Sequence, residues 1–223
     1  MKYFFTFAKK GSVRIPYKNM KNFLGQPLIE HTLKIFSKMY RNFNSAKFFC
    51  VSDFSDIETL TKVYSLTKYI DETKLKAKTF NKKVKEVLKN EGIKLTKDDV
   101  IILFQPTSPL KNGDKIVKQL KEFTESDYDL AFSTYPLKSS HYYVDNKSVN
   151  YSMVERDVKF NEKTVMVESG SYYFFKPDQL KKVYFMNSDN YTLLEDDYNI
   201  DLDTIEEWNS TELILRKNNW GVY

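Results

Sequence analysis

The sequence predicts an α/β fold: a mainly parallel sheet with helices on both faces. Three observations carry the prediction. Apolar runs of strand length alternate with helix-period segments over most of the first 135 residues, and such alternation implies βαβ units. The 223 residues, 41% apolar and 16% aromatic, suffice for one large domain with a substantial core and argue against disorder. No internal repeat, low-complexity tract or linker interrupts the chain, so residues 1–223 read as a single domain.

Taken in order, residues 3–8 form the first strand, which runs straight into a basic loop. Lys9, Lys10, Arg14, Lys18 and Lys21 crowd that loop, with Gly11 and Ser12 among them and Pro16 limiting its shape. Ammonium and guanidinium groups can neutralise phosphates there while backbone N–H groups line the turn. A solvated cationic turn, with Gly11 and Ser12 serving a tight bend, fits equally well. The next helix, residues 28–40, sets Leu28, Ile29, Leu33, Ile35, Phe36 and Met39 at helical spacing. His31 falls among them as a packing residue.

The second strand, 47–52, carries the single cysteine, Cys50, a small core residue that cannot form an internal disulfide. Ser52, Asp53, Ser55 and Asp56 follow and suit an N-cap for a helix over 56–64. A helix over 81–90 precedes the third strand, 100–104. After it comes Gln105-Pro106-Thr107-Ser108-Pro109, whose prolines fix the backbone and whose Gln105, Thr107 and Ser108 side chains can face a cleft. Taken alone, a rigid loop capping the next helix, 113–123, is the simpler account.

Strand 129–134 leads into a change of pattern. Residues 136–167 hold short segments such as HYYVDN between turn residues, a β-rich excursion in which His141 can touch substrate or a partner subunit, the second being the preferred reading. Core strands resume at 171–175. Residues 198–203, YNIDLD, alternate apolar and acidic before a helix over 204–216. If extended, this segment projects Asp201 and Asp203 to one face, where a Mg²⁺ ion would relieve their repulsion. The structural alternative has Asp203 capping the helix with Asp201 solvated, and a D-x-D pattern by itself favours it.

Charge narrows the function classes. Lys and Arg exceed Asp and Glu by 35 to 30, a net +5 that favours anionic ligands weakly and draws no nucleic-acid-binding stripe. No apolar run approaches the roughly 20 residues needed to span a bilayer, so no membrane is expected. The first residues lack a basic leader and a small-residue cleavage site, and the expectation is a cytoplasmic protein. Ligands of such sheets bind outside the carboxyl ends of the strands. A cationic loop, a rigid polar loop and paired carboxylates can converge there on attack at an activated phosphate.

The combined segments resemble a known family. AKKGSVRIPYKNMKNFLGQPLIEHT is similar to the start of the acylneuraminate cytidylyltransferases, the CMP-sialic acid synthetase family, which typically reads A-R-G-G-S-K-x-I-P-x-K-N-I and then G-K-P-L-I. IILFQPTSPLKNGDKI resembles its L-L-Q-P-T-S-P-L-R segment, and NIDLDTIEEW its D-I-D-T-x-E-D close. FFCVSDFSDI and SGSYYFFK stand where the family has V-S-T-D-D/S-x-x-I and N-G-A-I-Y-I-F. The matches keep the family's order and cover nearly the whole chain.

The resemblance implies a Rossmann-like sheet of the nucleotide-diphospho-sugar transferase type. It implies transfer of CMP from CTP to a nonulosonic acid of sialic, legionaminic or pseudaminic type, with release of pyrophosphate. Ala8, Lys9, Lys10, Gly11 and Ser12 would lie along the nucleotide, with Lys18 and Asn19 at the triphosphate and cytidine. Gln105, Pro106, Thr107 and Ser108 would face the acidic sugar. Asp201 and Asp203 would carry Mg²⁺ and, with Lys18, form the catalytic set. A homodimer is implied too, with 136–167 as the insertion that reaches the neighbouring subunit.

Departures mark where this chain is its own. Lys9 stands for the family's Arg and loses a bidentate fork. Lys10 replaces a glycine, Val13 the lysine of G-S-K, and Tyr17 a common basic residue; Lys10 is placed to make up for Val13. Between 67 and 90 the family's R-P-x-x-L-A-x-D is missing and lysines stand instead, while Glu168-Ser169-Gly170 replaces N-G. Two other functions stay open: a cytidylyltransferase for an octulosonic acid or a small phosphorylated compound, and a weakly active or non-catalytic nucleotide-binding relative.

Overall fold

Alternating strands and helices assemble into a seven-stranded sheet. Its members are β1 (Lys2–Phe7), β2 (Lys47–Ser52), β3 (Thr67–Asp71), β4 (Val100–Phe104), β5 (Leu130–Pro136), β6 (Met166–Phe175) and β7 (Tyr191–Glu195). They lie in the order β7-β5-β6-β4-β1-β2-β3, and every pairing is parallel except the two made by β6, which runs antiparallel between β5 and β4. The computed structural model describes residues 1–64, 66–137, 143–144, 147–148 and 165–218. Most of the 136–167 excursion, with His141 and the expected dimer contact, lies outside the described residues. Its margins belong to the main sheet: Pro136 ends β5, and Met166 and Val167 begin β6.

Among the described residues four helices pack on the sheet, α1 (Leu28–Asn42), α2 (Ser55–Val63), α3 (Phe80–Asn90) and α4 (Gly113–Glu125), while α5 (Ile205–Lys217) buries Trp208 and Leu215 in a separate cluster. Successive strand residues point to opposite faces. On one face Phe4, Phe48, Ile102, Phe104 and Phe174 meet Leu33 and Phe36 of α1 and Leu120 and Phe123 of α4. On the other, Phe5, Phe49, Ile101, Leu103 and Phe175 meet Val84, Val87 and Leu88 of α3. Strands covered on both faces need no polar side, which is why the central strands read as unbroken apolar runs. Cys50 is wholly buried, and His31 packs edge-on to Phe23, as expected.

A third cluster is the one that positions the site. Ile15 from the basic loop, Leu28 from α1, Leu110, Leu202, and Trp208 and Leu215 from α5 pack together away from the main core. Phe23 closes it, edge-on to Trp208 at 5.2 Å. Phe23 belongs to a small ladder, Asn22–Phe23 with Gln26–Pro27, turned by Leu24 (φ 51°) and Gly25 (φ 91°). Two consecutive left-handed residues are what a tight hairpin requires, and Gly25 adopts that backbone without a Cβ penalty. The basic loop therefore feeds a turn at Lys18–Met20 and this hairpin, rather than opening directly into α1. Among the described residues no helix is long and apolar enough to cross a membrane.

Candidate active site

The loop after β1 is braced from beneath. Ala8 is fully buried; its N–H donates to the Val51 carbonyl at 2.9 Å, and its carbonyl accepts from Ser52 Oγ at 2.5 Å. The Lys10 N–H donates to Asp53 Oδ1 at 2.6 Å. Ser52 and Asp53, expected to cap α2, instead hold this loop. Asn19, itself buried, closes the base by donating from Nδ2 to the Lys9 carbonyl at 2.8 Å. The Ser12 N–H donates to the Lys10 carbonyl at 3.1 Å, so Gly11 and Ser12 do form a tight bend. Lys9, Lys10 and Gly11 are exposed along it. The Lys10 ammonium lies over the rings of Tyr17 (5.7 Å) and Phe54 (5.2 Å), and Tyr17 holds an uncommon left-handed backbone, φ 55°. Val13 is 98% exposed.

The acid pair meets this loop from the other end of the chain. Lys18 Nζ donates to Asp203 Oδ1 at 2.9 Å and to the Leu202 carbonyl at 3.0 Å, while Arg14 Nη2 donates to Asp203 Oδ2 at 2.6 Å. The hydrogen bond from Lys18, with Arg14 adding, holds the Asp203 carboxyl below the usual carboxylate range. Asp201 is pushed the opposite way. Its side chain reaches solvent, but protein crowds its inner side, and that burial, with the charge of Asp203, raises its carboxyl despite a hydrogen bond from Thr107. Between them Leu202 is wholly buried in the third cluster, and its N–H donates to the Thr107 carbonyl at 2.9 Å.

That anchor, rather than an extended strand, presents the two acids; residues 198–203 form no strand. Nor does Asp203 cap α5. Thr204 is the N-cap: its hydroxyl accepts from the Glu207 N–H at 3.2 Å, and Glu207 reaches back to the Thr204 N–H at 2.7 Å. Gly170, left-handed at φ 69° in a register shift of β6, lies beside Asp201; a Cβ there would sit 4.0 Å from Oδ2. Among the described residues no group of three or more His, Cys, Asp or Glu is poised to hold a metal. Two carboxylates are nevertheless a donor set that suits Mg²⁺ when phosphates and water complete the shell.

Gln105 to Pro109 follow β4 and face the acid pair. The Gln105 N–H donates to the Ser171 carbonyl at 3.0 Å. Gln105 and Thr107 are half-buried, but Pro106 and Ser108 are buried, and Ser108 Oγ has no hydrogen-bond partner among the described residues. The serine hydroxyl is thus enclosed in the loop instead of lining an open cleft. The loop does not cap α4 either, because Asn112 does so through the Lys115 N–H at 3.1 Å.

Lys111, given no role by sequence reasoning, sits beneath this loop. It is buried, and Nζ donates to the Gln105 carbonyl at 2.8 Å and to the Ser108 carbonyl. Burial pushes its ammonium down to about 7 from 10.5, with Asp196 and Asp201 pulling it up. Above pH 7 the unfolded chain then binds the proton that the folded chain has lost, so this group's contribution to stability rises with pH up to the unfolded value. From pH 7 to 9 the protein should gain roughly 1–2 kcal/mol relative to Lys111→Met in urea unfolding, and parallel curves would show that Lys111 stays charged. The signal for it was the basic residue that closes QPTSPLK.

Clefts are present among the described residues besides the space between the loop and the acids. One of about 750 Å³, lined by Lys97, Asp98, Glu125 and Lys176, is at the amino end of the sheet, away from the loop and the acids. A second of about 540 Å³ lies beyond β5 and β7, against Tyr135, Asp196 and Asn199.

A family profile described as cytidylyltransferase matches residues 7–216. No curated protein matches the chain. Among solved structures the chain is similar to a CMP:2-keto-3-deoxy-manno-octonic acid synthetase complexed with CTP, at a TM-score of 0.65 and 13% identity over 97% of this chain and 99% of that one. It is also similar to 4-diphosphocytidyl-2C-methyl-D-erythritol synthase from Anaerococcus prevotii, at a TM-score of 0.64 and 14% identity over 96% of each chain. Another 4-diphosphocytidyl-2C-methyl-D-erythritol synthase gives 0.64 and 11% identity over 96% of this chain and 98% of that one. At such identities the likeness concerns the fold, and it bears out the Rossmann-like nucleotidyltransferase architecture.

Proposed function

Because the chain belongs to the cytidylyltransferase family, we propose that it transfers CMP from CTP to the anomeric hydroxyl of a nonulosonic acid of sialic, legionaminic or pseudaminic type. Nucleotidyl transfer follows from the family; the acceptor is the proposal. The observation that carries it is Asp203, held by Lys18 and Arg14 beside the solvent-facing Asp201. The acceptor hydroxyl oxygen attacks the α-phosphorus as its proton passes to solvent, the bond to the oxygen bridging to the β-phosphate breaks, and pyrophosphate leaves. Lys18 and Arg14, with Lys9 and Lys10 along the loop, neutralise the charge that passes to the leaving group. Asp201 and Asp203 would hold Mg²⁺, which supplies charge compensation and a template for in-line geometry. Gln105 and Thr107 are placed to meet the acceptor's hydroxyls and carboxylate.

The RIPYKN and QPTSP segments support a nonulosonic acid. A second reading takes an octulosonic acid, the class named for one similar structure, and the two differ in a single assay. With CTP, Mg²⁺ and a panel of nine- and eight-carbon sugar acids, pyrophosphate release is expected with at least one nine-carbon acid. Release with the eight-carbon acid alone would select the second reading. Release with UTP or ATP but not with CTP would overturn the nucleotide assignment.

A further inference from the structure

Glu72 follows β3 directly, and the handling of phosphates leaves part of its surroundings unexplained. Its side chain is only 10% exposed. Oε1 accepts from Lys83 Nζ of α3, equally buried, and lies 3.7 Å from Lys9 Nζ of the nucleotide loop. Oε2 is buried with no hydrogen-bond partner among the described residues. Lys83 balances the charge of Glu72, but not the second oxygen. A carboxylate has lone pairs for about four donors, and a buried oxygen with none is costly to maintain. The group that completes it must bring an N–H or an O–H.

Topology says what reaches it. The acid pair and the Gln105–Pro109 loop gather on the β4 side of β1, whereas β2 and β3 lie on the other side. If the phosphates sit by Lys18 and Asp203 and the acceptor lies at the β4 side, the base of the nucleotide would turn toward β3. Lys9, more than half exposed, is the loop-side neighbour free to move aside.

Resting on the cytidylyltransferase reading, we propose that Glu72, backed by Lys83, reads the nucleobase by accepting a hydrogen bond from the exocyclic amine of cytosine. Uracil carries a carbonyl oxygen at that position and meets a carboxylate oxygen as repulsion, so this contact separates CTP from UTP. A residue that serves only as the partner of Lys83 would stabilise the fold without touching that preference.

The test compares the protein with Glu72→Gln and Glu72→Asp, using kcat/KM for CTP and UTP in pyrophosphate release and melting temperature as a separate reading. The expected result is a fall of about tenfold or more in the CTP-over-UTP ratio for Glu72→Gln, chiefly through KM for CTP. An unchanged ratio with a lowered melting temperature overturns the proposal and leaves Glu72 structural. Should both variants fail to fold, the unaltered protein is assayed with the triphosphate of 2-pyrimidinone ribonucleoside, which lacks the amine. Use as good as that of CTP overturns the proposal, and about tenfold poorer use supports it. If the unaltered protein neither binds nor consumes CTP, the cytidylyltransferase reading fails and this inference with it.

Discussion

Asp203→Ala should lower kcat/KM for CTP by about 1,000-fold, the loss expected when one of the two carboxylates that would hold Mg²⁺ at the transferring phosphoryl group is removed. Asp203 receives both Lys18 and Arg14, and these are contacts that Asp201 does not make in this structure. The fold should survive. Asp203 is about a third exposed, and Lys18 keeps the Leu202 carbonyl, so the cost in urea unfolding should stay at about 1–2 kcal/mol. Asp203→Asn keeps the shape without the charge and should lose nearly as much turnover. Activity within tenfold of the unaltered enzyme in both variants would remove Asp203 from the reaction.

Lys18→Met should reduce kcat by about 100- to 1,000-fold, again as the loss of an oriented cation. A second effect separates function from packing. Lys18 is the main reason that the Asp203 carboxyl lies low, so the unaltered enzyme keeps Asp203 ionised to lower pH than an ordinary aspartate. Without Lys18 that carboxyl rises toward its ordinary value, and activity should fail at higher pH as the solution is acidified. A pH–rate profile reads this directly. An acid limb that does not move would mean that Lys18 only supports the loop.

The parts legible in the sequence are those set by burial on two faces or by a local motif. β1, β2 and β4 announce themselves because both of their faces are covered, and the loop after each can then be read as polar. Edge strands carry no such mark. β3 and β7, TKYID and YTLLE, have one strand neighbour each and one buried residue each, the rest being half-buried or exposed, and neither was expected as a strand. The reversed direction of β6 depends on the path of the chain around it, which apolar content does not record. At the acid pair the sequence held both clues, but each pointed to another residue. Thr204 and Glu207 spelled the helix cap that was assigned to Asp203, and the apolar residue between the acids was the anchor. Lys111 is one lysine among many until burial sets it apart; nothing local in QPTSPLK says which side of the loop it occupies.

The third cluster has a consequence for how the protein comes into being. Lys18 and Asp203 are 185 residues apart in the chain, yet they meet because Ile15, Leu202 and Trp208 pack together. Contacts of such long range form only after the entropy of closing the intervening chain has been offset by other structure. The central sheet can condense from nearer pairings, whereas the ends of the chain must find each other across it. The pairing of Lys18 with Asp203 is therefore expected late in folding, after the central sheet has condensed.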